Sequence, residues 1–163
     1  MLKTEIEAAL NSQLNMEQTA AHEYLAMAAY FEQQSLQGFA GFMRAQSVEE
    51  TEHAMRIFKH IFDRGGSVTI GAIGAPRGGY ESAKGVFEVA RDREQANTRS
   101  IHELYRLAGA ADDPATQIVL HWFIEEQVEE EHWCAEALAL LDMVGDNRGA
   151  LLMLDKRYGM KSG

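Results

Sequence analysis

The chain has 163 residues, and its 15 basic and 25 acidic side chains give a formal net charge of −10. This length predicts one domain over residues 1–163 that folds without disulfides or a structural metal. The acidic balance disfavours nucleic acid and anionic membranes as partners and favours cations. Because the chain has one cysteine, an acidic start and no apolar run near ~18 residues, we expect no secretory leader, no membrane span and a cytoplasmic location.

Four long segments carry apolar residues at intervals of three and four, which is the spacing of amphipathic helices. In chain order they contain Ile6, Leu14, Leu25 and Phe31; Phe39, Met43, Ile57 and Ile61; Val86, Ala90, Ile101 and Leu104; and Val119, Trp122, Trp133 and Leu141. A shorter apolar segment contains Leu151, Leu152 and Leu154. The sequence therefore predicts an all-α fold, with a helical bundle over residues 4–143 and a short fifth helix over residues 146–157.

The connections between these segments limit the topology. Only a few residues, near 35–38 and 109–114, separate the first helix from the second and the third from the fourth, so each pair forms an antiparallel hairpin. Residues 64–82 form a longer, glycine-rich connection. It spans ~60 Å when extended, whereas a helix of about 27 residues is only ~40 Å long. We therefore predict a four-helix bundle with one long crossover.

Polar side chains interrupt the apolar arcs of all four helices. At about 100° per residue, the inward positions are Glu17, Glu50, His53, Glu94, Glu126 and Glu130, with Gln127 on the flank of its arc. Positions 17, 50 and 53 recur 77 residues later as 94, 127 and 130, so the two hairpins present matching triplets. Packing of the hairpins brings all six side chains together, and so many buried carboxylates require compensating positive charge.

The donor types indicate which cations would bind. The four carboxylates of Glu17, Glu50, Glu94 and Glu130 carry the negative charge that two divalent ions neutralise. Oxygen-rich ligation with one imidazole, from His53, favours iron or manganese over structural zinc or calcium. Ferrous iron with open coordination positions reacts with dioxygen. The sequence therefore predicts a dinuclear, redox-active metal site.

A competing register and a third cation site also have to be considered. Glu129-x-x-His132 has the same spacing as the favoured motifs, but His132 projects outside the apolar arc, so we favour the register of Gln127 and Glu130. A third, looser cation site is predicted from four neighbouring acids, which are Glu49, Glu126, Glu129 and Glu130.

The other histidines and the cysteine are assigned to solvent or to packing. The histidines at the edges or outside of the apolar arcs are predicted to be solvated, and they are His22, His60, His102 and His121. Cys134 lies inside its arc and is predicted to be a small buried side chain.

Glu17, Glu50-x-x-His53, Glu94 and Gln127-x-x-Glu130 resemble, in type and spacing, the ferroxidase centre of prokaryotic non-haem ferritins. The resemblance covers nearly the whole chain. It implies one iron on Glu17 and His53, a second iron on Glu94 and Glu130, and Glu50 as the bridge between them. It also implies that Gln127 orders the oxygen ligand by hydrogen bonding.

Further expectations come from this resemblance alone. Glu49, Glu126, Glu129 and Glu130 match an additional iron site of the family, and Tyr24 and Trp122 match aromatic residues regarded as electron donors. The resemblance implies a hollow homo-oligomeric shell of 24 subunits. Bacterioferritins carry a haem-ligating methionine where this chain has Thr51, so no haem is expected.

These observations favour iron storage with ferroxidase activity, in which ferrous iron and dioxygen react and ferric oxyhydroxide accumulates inside the shell. Two alternatives stay open. A di-iron oxidoreductase acting on an organic substrate would use the same residues beside an apolar channel. A purely structural bundle would pair the inward acids with arginines, although Arg44, Arg56 and Arg99 lie mainly off the apolar arcs.

Overall fold

A computed structural model describes the backbone of residues 1–161 and the side chains of residues 1–160. Its helices are α1 (Thr4–Gln33), α2 (Gln37–Asp63), α3 (Ala83–Ala110), α4 (Pro114–Val144) and α5 (Arg148–Lys161). The part of the chain that the structure describes contains no strand. The predicted all-α bundle is therefore confirmed, and the fifth helix begins two residues later than expected and extends further. None of the described helices has the length and hydropathy needed to cross a membrane.

The connection over residues 64–82 lies along α1 and is held near both ends of that helix. Near the start of α1, the Asn11 side chain donates to the Ser67 carbonyl oxygen at 3.0 Å and accepts from the Thr69 amide at 2.7 Å. Near the end of α1, the ring of Tyr30 packs edge-on against Tyr80, with 5.3 Å between centroids. The predicted crossover thus carries the chain from one end of the bundle to the other.

Side-chain caps fix the first residues of α3 and α4, the two helices of the second hairpin. The Ser82 hydroxyl accepts from the Gly85 amide at 3.0 Å at the start of α3. The Asp113 carboxylate accepts from the Thr116 amide at 3.1 Å, and Pro114 takes the first helical position of α4. An acidic N-cap followed by proline satisfies free amides without sacrificing a helical hydrogen bond. The sequence Asp112-Asp113-Pro114 therefore forms the start of α4.

Two apolar clusters fill the bundle, with a polar layer between them. The first cluster joins the α1–α2 turn to α5 through residues such as Phe31, Phe39 and Tyr158. The second cluster lies at the opposite end and includes Ile6 and Ile61. We use "polar layer" for the six buried residues between the clusters, which are Glu17, Glu50, His53, Glu94, Gln127 and Glu130.

Two side chains lie where the sequence periodicity did not predict them. Leu25 was expected in the apolar arc of α1 but is 51% exposed, because the neighbouring Tyr24 occupies the inward position. His60 was expected in solvent but is buried, and its Nε2 lies 3.0 Å from the Thr116 hydroxyl. The start of α4 packs over the end of α2 and covers His60, a contact that the periodicity of α2 alone does not reveal.

Helix α5 docks onto the first turn of α2 through a close backbone approach. A Cβ atom added at Gly38 would lie 1.7 Å from the carbonyl oxygen of Asp155, so only glycine fits there. The buried Asp155 carboxylate accepts from the Phe39 amide at 2.8 Å. Free amides in a first helical turn favour a carboxylate partner, both by hydrogen bonding and through the helix dipole.

We expect Asp155→Ala to destabilise the folded chain by about 1–2 kcal/mol, because it removes this N-terminal cap of α2. Thermal unfolding measured by circular dichroism checks this expectation. Lys156→Ala alters the neighbouring exposed residue of the same helix and should leave the melting temperature unchanged. Equal melting temperatures for Asp155→Ala and Lys156→Ala would contradict a stabilising role of the contact.

Candidate metal centre

The six residues of the polar layer come from four helices and meet in the middle of the bundle. Each helix passes through the layer once, so residues far apart in sequence reach a common height. All six side chains belong to residues that are at most 3% exposed. The structure therefore brings together the six residues of the two matching triplets, whereas Glu126, which was also predicted to face inward, is partly exposed.

Two groups of potential ligands share one glutamate. The ligand atoms of Glu17, Glu50 and His53 lie within 4.8 Å of one another, and so do those of Glu50, Glu94 and Glu130. Glu50 is the member common to both groups. This geometry offers two adjacent metal positions with a carboxylate between them.

The hydrogen bonding of this layer is incomplete without a cation. Both carboxylate oxygens of Glu50 and the Nδ1 atom of His53 are buried and accept no hydrogen bond from the described residues, and Glu50 is joined to Glu17 only when the two share a proton. Nδ1 of His53 lies 3.5 Å from Oε2 of Glu50, without hydrogen-bond geometry. Buried polar atoms without a partner are rare and cost free energy. Carboxylate oxygens and an imidazole nitrogen left in this state fit ferrous iron as a ligand set.

Burial and mutual repulsion make these carboxyl groups weak acids when no metal is bound. Burial, followed by the charge of Glu50, raises the pKa of Glu17 well above its usual range. Burial, followed by the charge of Glu94, raises the pKa of Glu130 to about 9. Burial also raises the pKa of Glu94, although hydrogen bonds from Tyr24 and Gln127 oppose the shift. Metal ions entering the layer must therefore displace protons.

Arginine does not supply the missing positive charge. Burial raises the pKa of Glu50 and of Glu94, and the positive charge of Arg93 opposes this shift in both groups without reversing it. Its guanidinium, however, donates to the Met16 carbonyl oxygen at 2.6 Å and lies 3.3 Å from the carboxylate of Glu23. Among the described residues no ion pair joins an arginine to the polar layer, which disfavours the purely structural bundle.

Two aromatic residues donate hydrogen bonds to the ligand carboxylates. The Tyr24 hydroxyl, which is fully buried, donates to Oε1 of Glu94. The indole N–H of Trp133 donates to Oε2 of Glu130, and this contact was missed in the sequence. The only sign of this contact in the sequence is the spacing of three residues between Glu130 and Trp133, which places both side chains on one face of α4. Trp122 instead packs edge-on against the His53 ring, with 5.3 Å between centroids.

A third ligand group lies next to the polar layer. The ligand atoms of Glu49, His53 and Glu126 also lie within 4.8 Å of one another, and Glu49 and Glu126 are partly exposed. Glu129 is exposed and does not belong to this group. The third group is thus more accessible than the other two and shares His53 with the first.

The remaining sequence expectations near α4 agree with the structure. His132 is exposed, in agreement with the register that aims Gln127 and Glu130 inward. Cys134 is fully buried, and burial raises the pKa of its thiol. The cysteine therefore behaves as a packing residue rather than as a reactive thiolate.

Two buried amide side chains next to the layer were also missed. Gln13 is 1% exposed and Asn97 is 3% exposed, and both contact the Glu17 carboxylate. Gln13 lies four residues before Glu17, and Asn97 lies three residues after Glu94. The angular count that selected the glutamates also places these amides on the inward arcs, so their polarity was a usable signal.

Comparisons with known proteins agree with this geometry. A family model for the ferritin-like domain matches residues 7–144. A bacterial non-heme ferritin from Staphylococcus aureus is 38% identical over 162 residues, which cover 99% of this chain and 98% of that protein. An open pore ferritin from the hyperthermophilic archaeon Archaeoglobus fulgidus has a TM-score of 0.97 and 38% identity, covering 98% of this chain and 99% of that chain. With its bundle, its crossover and its polar layer, the chain belongs to the ferritin family.

Proposed function

We propose that this protein stores iron and acts as a ferroxidase, oxidising ferrous iron with dioxygen in the polar layer. The observation that carries the proposal is the unpartnered Glu50, whose carboxylate belongs to two ligand groups at once. A carboxylate between two adjacent cation positions suits a reaction that removes one electron from each of two ferrous ions.

The residues of the polar layer bind two ferrous ions, which are the substrate. Glu17 and His53 hold one ferrous ion, Glu94 and Glu130 hold the other, and Glu50 contacts both. Each ion gives one electron to dioxygen, which takes up two protons and leaves as hydrogen peroxide, and water then converts the two ferric ions to oxyhydroxide with release of protons. The chain contributes position and charge, because the two ions stay neighbours at a buried site of negative potential.

Protons leave these carboxyl groups when ferrous ions bind. The raised pKa of Glu130 means that its carboxyl group holds a proton at neutral pH until a cation replaces it. Tyr24 and Trp133 keep Glu94 and Glu130 oriented through their hydrogen bonds. We assign Gln127 to orientation as well, since its amide nitrogen lies 3.2 Å from Oε2 of Glu94.

The remaining assignments extend the proposal to the whole assembly. We infer a cytoplasmic shell of 24 copies. We also infer a third iron position formed by Glu49, Glu126 and the shared His53, with Glu129 and Glu130 at its margin. Haem is not part of the proposal, because Thr51 stands on an exposed position of α2 where bacterioferritins use methionine.

Native mass measurement after aerobic loading with ferrous iron tests the function. We expect a particle with the mass of 24 chains that holds far more than two irons per chain, because mineral collects in a shared cavity. Apoprotein loaded with zinc, which is not redox-active, serves as the control. A particle that stops at about two irons per chain would favour an oxidoreductase for organic substrates, and a metal-free particle would contradict both.

A further inference from the structure

The Glu17 carboxylate is held on both of its oxygens by uncharged amides. Nε2 of Gln13 donates to Oε1 at 2.7 Å, and Nδ2 of Asn97 donates to Oε2 at 3.2 Å. Each carboxylate oxygen has two acceptor sites, so one site per oxygen stays available for a cation. The amides approach from α1 and α3, and the ligand atoms of Glu50 and His53 lie near the same carboxylate from α2.

These amides form one directed chain of hydrogen bonds. The Ser100 hydroxyl donates to Oε1 of Gln13 at 2.6 Å, and Nε2 of Gln13 donates to Oδ1 of Asn97. Nδ2 of Asn97 then donates to Oε1 of Gln127 at 3.3 Å. Nε2 of Gln127 finally donates to Glu94, with 3.2 Å to its carboxylate.

The direction of this chain fixes which way each amide faces. Asn97 accepts from Gln13 with its oxygen, so its two N–H bonds must point at Glu17 and Gln127. Gln127 accepts from Asn97 with its oxygen, so its N–H bonds point at Glu94 and at the Thr98 hydroxyl. A flipped amide would set two acceptors against each other in a buried site.

We propose that Asn97, supported by Gln13, is the positioning residue that orients a ligand of each of the two iron positions. It holds Glu17 of one position directly and Glu94 of the other through Gln127. An arginine or lysine could also hold Glu17, but its charge would compete with the incoming ion. Neutral amides fix the carboxylate and leave its negative charge available to ferrous iron. The inference rests on the proposed function and adds residues to its site.

The test compares full-length assembled proteins in anaerobic titrations with Co²⁺, whose visible absorption reports on ligand geometry. Asn97→Leu removes both donors and keeps a side chain that branches at Cγ. Gln13→Met removes the supporting donor and keeps an unbranched side chain of similar length. Gln95→Leu is the matched control, because Gln95 is an exposed residue of α3 two positions from Asn97. Oxidation rates at varied Fe²⁺ concentrations separate kcat from KM in each variant.

We expect Asn97→Leu to bind Co²⁺ about 10–100-fold more weakly, the usual effect of losing a partner behind a metal ligand. Its Co²⁺ spectrum should differ from that of the wild type, and KM for Fe²⁺ should rise. Gln13→Met should change the same quantities in the same direction, which keeps the test decisive if Asn97→Leu fails to assemble. Gln95→Leu should match the wild type.

Two outcomes overturn the inference in distinguishable ways. Assembled Asn97→Leu or Gln13→Met protein with the wild-type Co²⁺ affinity and spectrum removes the positioning role and leaves the proposed function intact. Wild-type protein that neither binds two Co²⁺ ions per chain nor oxidises Fe²⁺ removes the proposed function, and the inference falls with it.

Discussion

Replacement of Glu50 by alanine is expected to slow the oxidation of ferrous iron by at least ~100-fold, a larger effect than loss of a residue behind the ligands. Glu50 is the member that the two buried ligand groups share, so its removal weakens both iron positions at once. With the ions no longer held as neighbours, the concerted removal of two electrons by dioxygen is lost. Stopped-flow absorbance after mixing ferrous iron with oxygenated buffer measures this rate.

Glu52→Ala provides the control for this experiment. Glu52 is an exposed acid on α2, two positions from Glu50, so its removal makes the same change in formal charge. The control should oxidise iron at the wild-type rate. If Glu50→Ala and Glu52→Ala behave alike, the reaction takes place outside the polar layer.

The metal-free protein is expected to lose stability as the pH rises from about 5 to about 9. The pKa of Glu130 is about 9 in the folded chain, whereas an exposed glutamate titrates near ~4.3 when the chain unfolds. Between these values the folded state binds the extra proton, so stability falls with pH by up to ~1.4 kcal/mol per unit for one such group. Below a pH of ~4.3, Glu130 is protonated in both the folded and the unfolded chain, and its contribution to the stability of the fold is fully present.

Thermal unfolding of chelator-treated protein across this pH range measures the effect. Glu130→Gln keeps the shape of the side chain and should make the slope shallower, while Glu17 and Glu94, whose pKa values are also raised, maintain the rest of it. The difference between wild type and variant reports on Glu130 and on its repulsion with Glu50 and Glu94. His60 does not contribute to the difference, because burial lowers its pKa equally in both proteins and acts in the opposite direction. Saturation with a divalent ion should also flatten the wild-type profile, since the cation replaces the proton. If the melting temperature of the metal-free wild type does not fall as the pH rises, the polar layer does not bind the extra protons that we expect.

Helical periodicity was sufficient to predict the bundle, the crossover and the inward carboxylates. Glu17 and Glu94 were found because an acid on an apolar arc conflicts with burial unless something neutralises it. The conflict is visible within a single helix, so no knowledge of neighbouring helices was needed. The recurrence of the triplet after 77 residues then indicated which acids meet.

Contacts between helices account for what the sequence did not reveal. The burial of His60 depends on Thr116 from the start of α4, and the docking of α5 depends on Asp155 reaching the Phe39 amide. An angular count describes the direction of a side chain around its own axis and says nothing about what the next helix brings to it. For Asn97 the count does give the inward direction, but it does not identify the partners, which lie on α1 and α4.

The polar layer lies between two apolar clusters, and α1 to α4 each run through all three regions without interruption. One residue inserted into any of these helices would rotate everything beyond it by about 100°. Side chains on one side of the insertion would then lose their alignment with those on the other. Evolutionary change in chain length should therefore be confined to the connections between the helices, of which residues 64–82 are the longest, and to the ends of the chain.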